Sequence, residues 1–94
     1  NGRGITYHDL GEQQKALEDY NKAIELDPIH KFAYRNRGLL YSKLGNLEAA
    51  VKDYTQAIQL DPKYKNAYLN RADAYSALGQ ESLAEADRKA AAEL

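Results

Sequence analysis

A chain of 94 residues and 10.6 kDa has room for one small domain, which excludes a catalytic domain joined to a regulatory one. Thirteen basic and fourteen acidic residues leave a net charge of -1 with no basic run, against the concentrated positive charge of a nucleic-acid or anionic-membrane binder. Without cysteine there is no disulfide framework or thiolate metal site, and no apolar stretch reaches the ~20 residues of a membrane span.

The chain repeats itself every 34 residues. Residues 1–30 match residues 35–64 at 13 of 30 positions, and residues 31–60 match 65–94 at 13 of 30. The identities form columns: Arg3, Arg37 and Arg71; Tyr7, Tyr41 and Tyr75; Gly11, Gly45 and Gly79; Asp19, Asp53 and Asp87. Three units follow, spanning residues 1–30, 31–64 and 65–94 of a single domain covering 1–94.

In the first unit, a short helix ends at Gly11 and a second runs to the Asp27-Pro28 stop. The unit begins four residues late in the repeat, so its first helix lacks a turn. Opening on Asn1 and lacking methionine, the chain reads as a fragment of something longer.

The middle unit is the clearest. Ala33, Tyr34, Gly38, Tyr41 and Leu44 recur at helical spacing, and Gly45 ends that helix. Asn46 is placed to cap the next one, whose stripe is Leu47, Ala50, Val51, Tyr54, Ala57 and Ile58. Pro62 then forces Asp61 out of helical geometry. Small Gly38, Ala50 and Ala57 against bulky Tyr41 and Tyr54 allow close helix approach.

The third unit keeps the first helix and alters the second. Arg88 stands where Tyr20 and Tyr54 stand, and Glu85 and Ala92 replace larger aliphatics. This polar face reads as a solvated cap on the stack, the rival reading being a fragment cut before a further helix that would pack there. One helix pair cannot hide both of its stripes, so the pairs must cover each other.

Period 34, with Gly-x-x-Tyr-x-x-Leu-Gly followed by Ala, an aromatic, Ala and Pro, resembles the tetratricopeptide repeat family. Gly38, Tyr41, Leu44, Gly45, Ala50, Tyr54, Ala57 and Pro62 match every signature position, while Tyr34 and Tyr68 sit where that family often carries tryptophan. The resemblance covers the whole chain. It implies an all-α superhelix, a right-handed solenoid of three antiparallel helix pairs. It also implies a non-catalytic interaction scaffold that binds a peptide or helix in the concave groove lined by the first helices.

The residues support no competing chemistry. His8 and His30 lack metal-ligand spacing, no carboxylate pair is isolated for acid-base work, and no phosphate-binding glycine loop appears. No catalytic residue, metal or cofactor is expected. The Arg and Asp columns read as an ion-pair ladder between packed helices. The cysteine-free composition favours a cytoplasmic setting.

The expected binding stripe comprises Arg35, Asn36, Leu39 and Lys43 in the second unit, and Asn66, Leu69, Asn70 and Asp73 in the third. Ile5, Leu39 and Leu69 would be exposed apolar anchors. Asn36 and Asn70 share one repeat position, and their amides match the donor and acceptor of a peptide bond. Two such rungs give about 2–6 kcal/mol, short of the ~8 kcal/mol of micromolar binding. Family members that clamp the C-terminal carboxylate of heat-shock chaperones use Lys, Asn, Asn, Lys and Arg at the positions held here by Asn1, Ile5, Asn36, Asn66 and Asn70. Only Asn36 matches, so no such clamp is expected. The competing readings are self-assembly through the open ends and an accessory segment of a larger enzyme.

Overall fold

Five α-helices carry the chain: α1 (Tyr7–Leu26), α2 (Lys31–Lys43), α3 (Leu47–Leu60), α4 (Lys65–Ala77) and α5 (Glu81–Ala92). They come from a computed structural model that describes residues 7–94, with side chains from Gln13 onward, and no strand occurs among those residues. No helix there is long and apolar enough to cross a membrane.

Turn chemistry sets the helix ends. Gly45 and Gly79 adopt φ of +88° and +82°, the left-handed region that only glycine enters without penalty. Around Gly45 the amides of Gly45 and Asn46 donate to the carbonyls of Ser42 and Tyr41 at 3.0 and 2.8 Å. The amides of Gly79 and Gln80 repeat this on Ser76 and Tyr75 at 3.0 and 2.8 Å. Both are Schellman caps, which satisfy the last carbonyls of α2 and α4. As expected, Asn46 caps α3 by accepting from the Ala49 amide at 3.4 Å. The Asp-Pro turns also repeat, with Asp61 Oδ1 accepting from the Lys63 amide and Asp27 Oδ1 from that of Ile29.

Two expectations are corrected here. Gly11, expected to end a helix, lies inside α1, which runs through it without a break, and among the described residues α2/α3 and α4/α5 are the complete helix pairs. A glycine inside a helix costs only about 1 kcal/mol relative to alanine, so it permits a turn and does not impose one. At Gly45 and Gly79 a packed helix on each side holds the turn in place. Leu44, assigned to the apolar stripe, sits at the C-cap of α2 and is 38% exposed.

The core is shallow and rich in alanine. Ala50, Tyr54 and Ala74 form its centre, with Leu39, Tyr41, Leu47 and Val51 packed around them. The close approach read from small residues is most literal at Gly38. A Cβ there would lie 2.6 Å from the Tyr54 ring, so glycine is what lets α2 meet α3. In the third unit Arg88 replaces that tyrosine, and Ala72 is tolerated at the position of Gly38.

Successive helices pack in sequence, and α2 also touches α4 directly, whereas α3 and α5 do not meet. Helices of one layer that touch, beside helices of the other that splay, bend the stack. The concave side therefore belongs to α2 and α4.

Candidate functional site

The concave face rests on a rigid frame. Arg37 grips Asp53 with Nε and Nη2 at 2.8 and 2.7 Å, and Arg71 grips Asp87 the same way at 2.8 Å for both bonds. Asp53 and Asp87 are each only 5% exposed. The third nitrogen of each guanidinium reaches back one unit, Arg37 Nη1 to Asn21 at 2.8 Å and Arg71 Nη1 to Thr55 at 3.0 Å. Tyr34 and Tyr41 flank Arg37, and Tyr68 and Tyr75 flank Arg71, with ring centroids 5.6–5.9 Å from the guanidinium carbon. The expected ladder thus runs within the second and third units and stitches each to the preceding one. Hydrogen bonding to the carboxylates raises the pKa of both arginines against the opposing effect of burial. The Arg3–Asp19 rung lies outside the described residues.

The residues of the expected stripe belong to α2 and α4. Arg35 Nε donates to Asn70 Oδ1 at 2.8 Å, joining the two helices across the face. Below them Tyr54 holds Ser42, hydroxyl to hydroxyl, at 3.3 Å. Burial raises the Tyr54 phenol pKa, with Ser42 and Arg35 opposing the shift and Asp73 adding to it. Lys43, Asn66 and Asp73 are exposed, Arg35, Asn36 and Asn70 are half-buried, and Leu69 is 38% exposed.

Leu39 is corrected. Expected as an exposed anchor, it is half-buried against Ala50, Tyr54 and Ala74, because direct contact of α2 with α4 covers that side of α2. Of the named anchors Leu69 keeps its exposure, and Ile5 lies outside the described residues. The asparagine pair also differs from the expected free rungs, since the Asn70 oxygen already serves Arg35. The first-unit positions Asn1 and Gly2, and the side chains of His8 and Asp9, also fall outside the described residues.

His30, which the spacing excluded as a metal ligand, caps α2 by accepting from the Ala33 amide at its Nδ1 (3.3 Å). It opens an edge that sequence reasoning missed. Phe32 meets His30 and Tyr64 edge-on at 6.3 and 5.6 Å, and Lys31 lies over the rings of Phe32 and Tyr64 while pairing with Asp61. The signal was available: Phe32 breaks the repeat, which has Asn66 at the equivalent position. Among the described residues no group of His, Cys, Asp and Glu is arranged to hold a metal ion.

Tetratricopeptide repeat models match residues 32–64 and 53–86, and a TPR repeat model matches residues 4–45. No curated protein sequence matches the chain. Among solved structures, the second TPR of Spaghetti (RPAP3) bound to HSP90 peptide SRMEEVD is 33% identical, with a TM-score of 0.85 over 99% of this chain and 86% of that one. The first TPR of the same protein, bound to the same peptide, is 29% identical with a TM-score of 0.85, over 93% and 69%. A crystal structure of MamA is 30% identical with a TM-score of 0.85 over 89% of this chain, which spans 49% of that protein.

Proposed function

Because the chain belongs to the tetratricopeptide repeat family, we propose that residues 1–94 form a non-catalytic interaction module whose concave face binds a peptide or helix of a partner protein. The observation that carries this reading is the direct meeting of α2 and α4. It supports a common face for Arg35, Asn36, Lys43, Asn66, Leu69, Asn70 and Asp73, all carried by these two helices, with Leu69 the one large apolar side chain among them. Such a face suits an extended ligand, because amides pair with backbone groups while an apolar side chain supplies contact area.

The peptide bound to the RPAP3 domains supports peptide binding as an activity class. It does not carry over the contacts of a chain-terminal carboxylate clamp. Asn1, Ile5, Asn66 and Asn70 stand at four of the five clamp positions where the family uses other residues, and none of these four is a cation.

Selection of peptides from a random library tests the reading, run beside an Asn36→Ala/Asn70→Ala variant. Removing the Asn70 oxygen frees Arg35, so matched thermal stability of the variant must be measured first. A motif recovered by the wild type and lost by the variant is the expected result. Binding that survives in the variant moves the contacts off the asparagines, and absence of any recovered peptide overturns the groove.

A further inference from the structure

We infer that the concave face selects acidic segments, with the Arg35 guanidinium as the carboxylate-binding fork; this rests on the groove reading above. The first observation is a sorting of charge by layer. The inner helices α2 and α4 carry six basic residues (Lys31, Arg35, Arg37, Lys43, Lys65 and Arg71) and one acidic residue, Asp73. The helices α1, α3 and α5 together carry ten acidic residues and five basic ones. The net charge of -1 hides this polarity, because inner and outer helices alternate along the chain.

The second observation concerns which inner cations are already used. Arg37 and Arg71 commit all three guanidinium nitrogens to protein oxygens, and Lys31 is paired with Asp61. Arg35 differs. Its Nε is held by Asn70, and neither Nη group has an acceptor among the described residues. No carboxylate there lies within ion-pair distance of it. A guanidinium fixed through Nε with both Nη groups open presents the fork that matches a carboxylate. Asn70 is accordingly a positioning residue, which orients the fork and leaves its charge unneutralised.

Lys43 extends the positive charge along α2, and Lys65 adds an exposed cation at the start of α4. Lys43 lies eight residues beyond Arg35 on α2, about 12 Å at 1.5 Å per residue. An extended peptide covers that span in about four residues at ~3.3 Å each. The preferred ligand therefore carries internal Asp or Glu side chains at roughly that spacing, a requirement distinct from a chain-terminal carboxylate. Asp73, the one acidic residue of the two inner helices, repels an acidic side chain placed against it, so the ligand's carboxylates belong at the Arg35 and Lys43 side of the face. A peptide is favoured over a nucleic acid because Asn36 and Asn66 offer amides beside the fork, and only three inner cations remain unpaired among the described residues.

The test measures fluorescence polarisation of labelled short random peptides, made as acidic-biased, neutral and basic-biased pools, together with a single-stranded oligonucleotide. The acidic pool is expected to bind best and to weaken as salt rises. Arg35→Gln should weaken it on the order of ten-fold, since hydrogen bonds to a charged group are at stake. Arg35→Lys should restore part of that loss. Lys52→Gln, on the exposed face of α3, should leave binding unchanged, and thermal melts establish that each variant folds. Equal binding of the neutral pool, or acidic binding indifferent to Arg35→Gln, overturns the acidic preference while leaving the groove in place. An oligonucleotide that outcompetes the acidic pool also overturns it. If the wild type binds no pool, both the preference and the groove reading fall.

Discussion

Arg37 and Asp53, 16 residues apart in sequence, form a two-pronged pair between adjacent helices at 2.8 and 2.7 Å. Its carboxylate side chain is 7% exposed and its guanidinium side chain 20%. The pair is thus a buried anion held by a partly solvated cation. Removing either member leaves the other without its match, which is where the energetic consequence lies.

Asp53→Ala should therefore lower stability by about 3 kcal/mol, the low end for breaking a buried pair, because Arg37 keeps some access to water. Urea denaturation followed by circular dichroism measures it. The double variant with Arg37→Ala should recover part of the loss. Additive losses in that cycle would show that the two side chains do not act as a pair.

Gly38 and Ala72 occupy equivalent positions and should respond oppositely to a methyl group. Gly38→Ala brings a Cβ within 2.6 Å of the Tyr54 ring and should cost about 1–3 kcal/mol despite the better helix propensity of alanine. Ala72→Gly removes a buried methyl and lowers propensity, for a loss of about 1–2 kcal/mol. Thermal melts of the two variants decide the matter, and a stabilising Gly38→Ala would contradict the packing described.

The glycine column should split in the same way. Gly45→Ala forces a side chain into positive φ and should destabilise by about 1–2 kcal/mol. Gly11 lies inside α1, so Gly11→Ala should stabilise by up to about 1 kcal/mol. Equal destabilisation by both changes would mean that Gly11 also turns the chain.

Tyr54 should titrate above the ordinary tyrosine value of 10.0, since burial disfavours its phenolate. The unfolded chain loses that proton first, so this group's contribution to stability is present below pH 10.0 and declines as pH rises through the raised value. Ultraviolet absorbance of the phenolates should show a late-titrating tyrosine that disappears in Tyr54→Phe. An unchanged titration curve would place Tyr54 in contact with water.

The period, the all-helical class and the turns at Gly45 and Gly79 were legible in the sequence, because a 34-residue repeat multiplies each local signal by its recurrence. Asn46 as a cap, Gly45 and Gly79 as stops, and the Arg–Asp columns all follow from short-range chemistry that each unit restates. Tertiary structure decided what recurrence does not encode. Gly11 shares a column with Gly45 and Gly79 yet stays helical, since a glycine turns only where packed helices on both sides hold the turn. Leu39 and Leu69 both lie on the expected binding stripe, and only stacking buries the first while exposing the second. Arg35 and Arg37 are neighbours of one type, but helical geometry turns Arg37 onto Asp53 and Arg35 onto Asn70 of the next unit. Which arginine is consumed and which stays open depends on the helix packed across from it, and that helix is supplied by the stack.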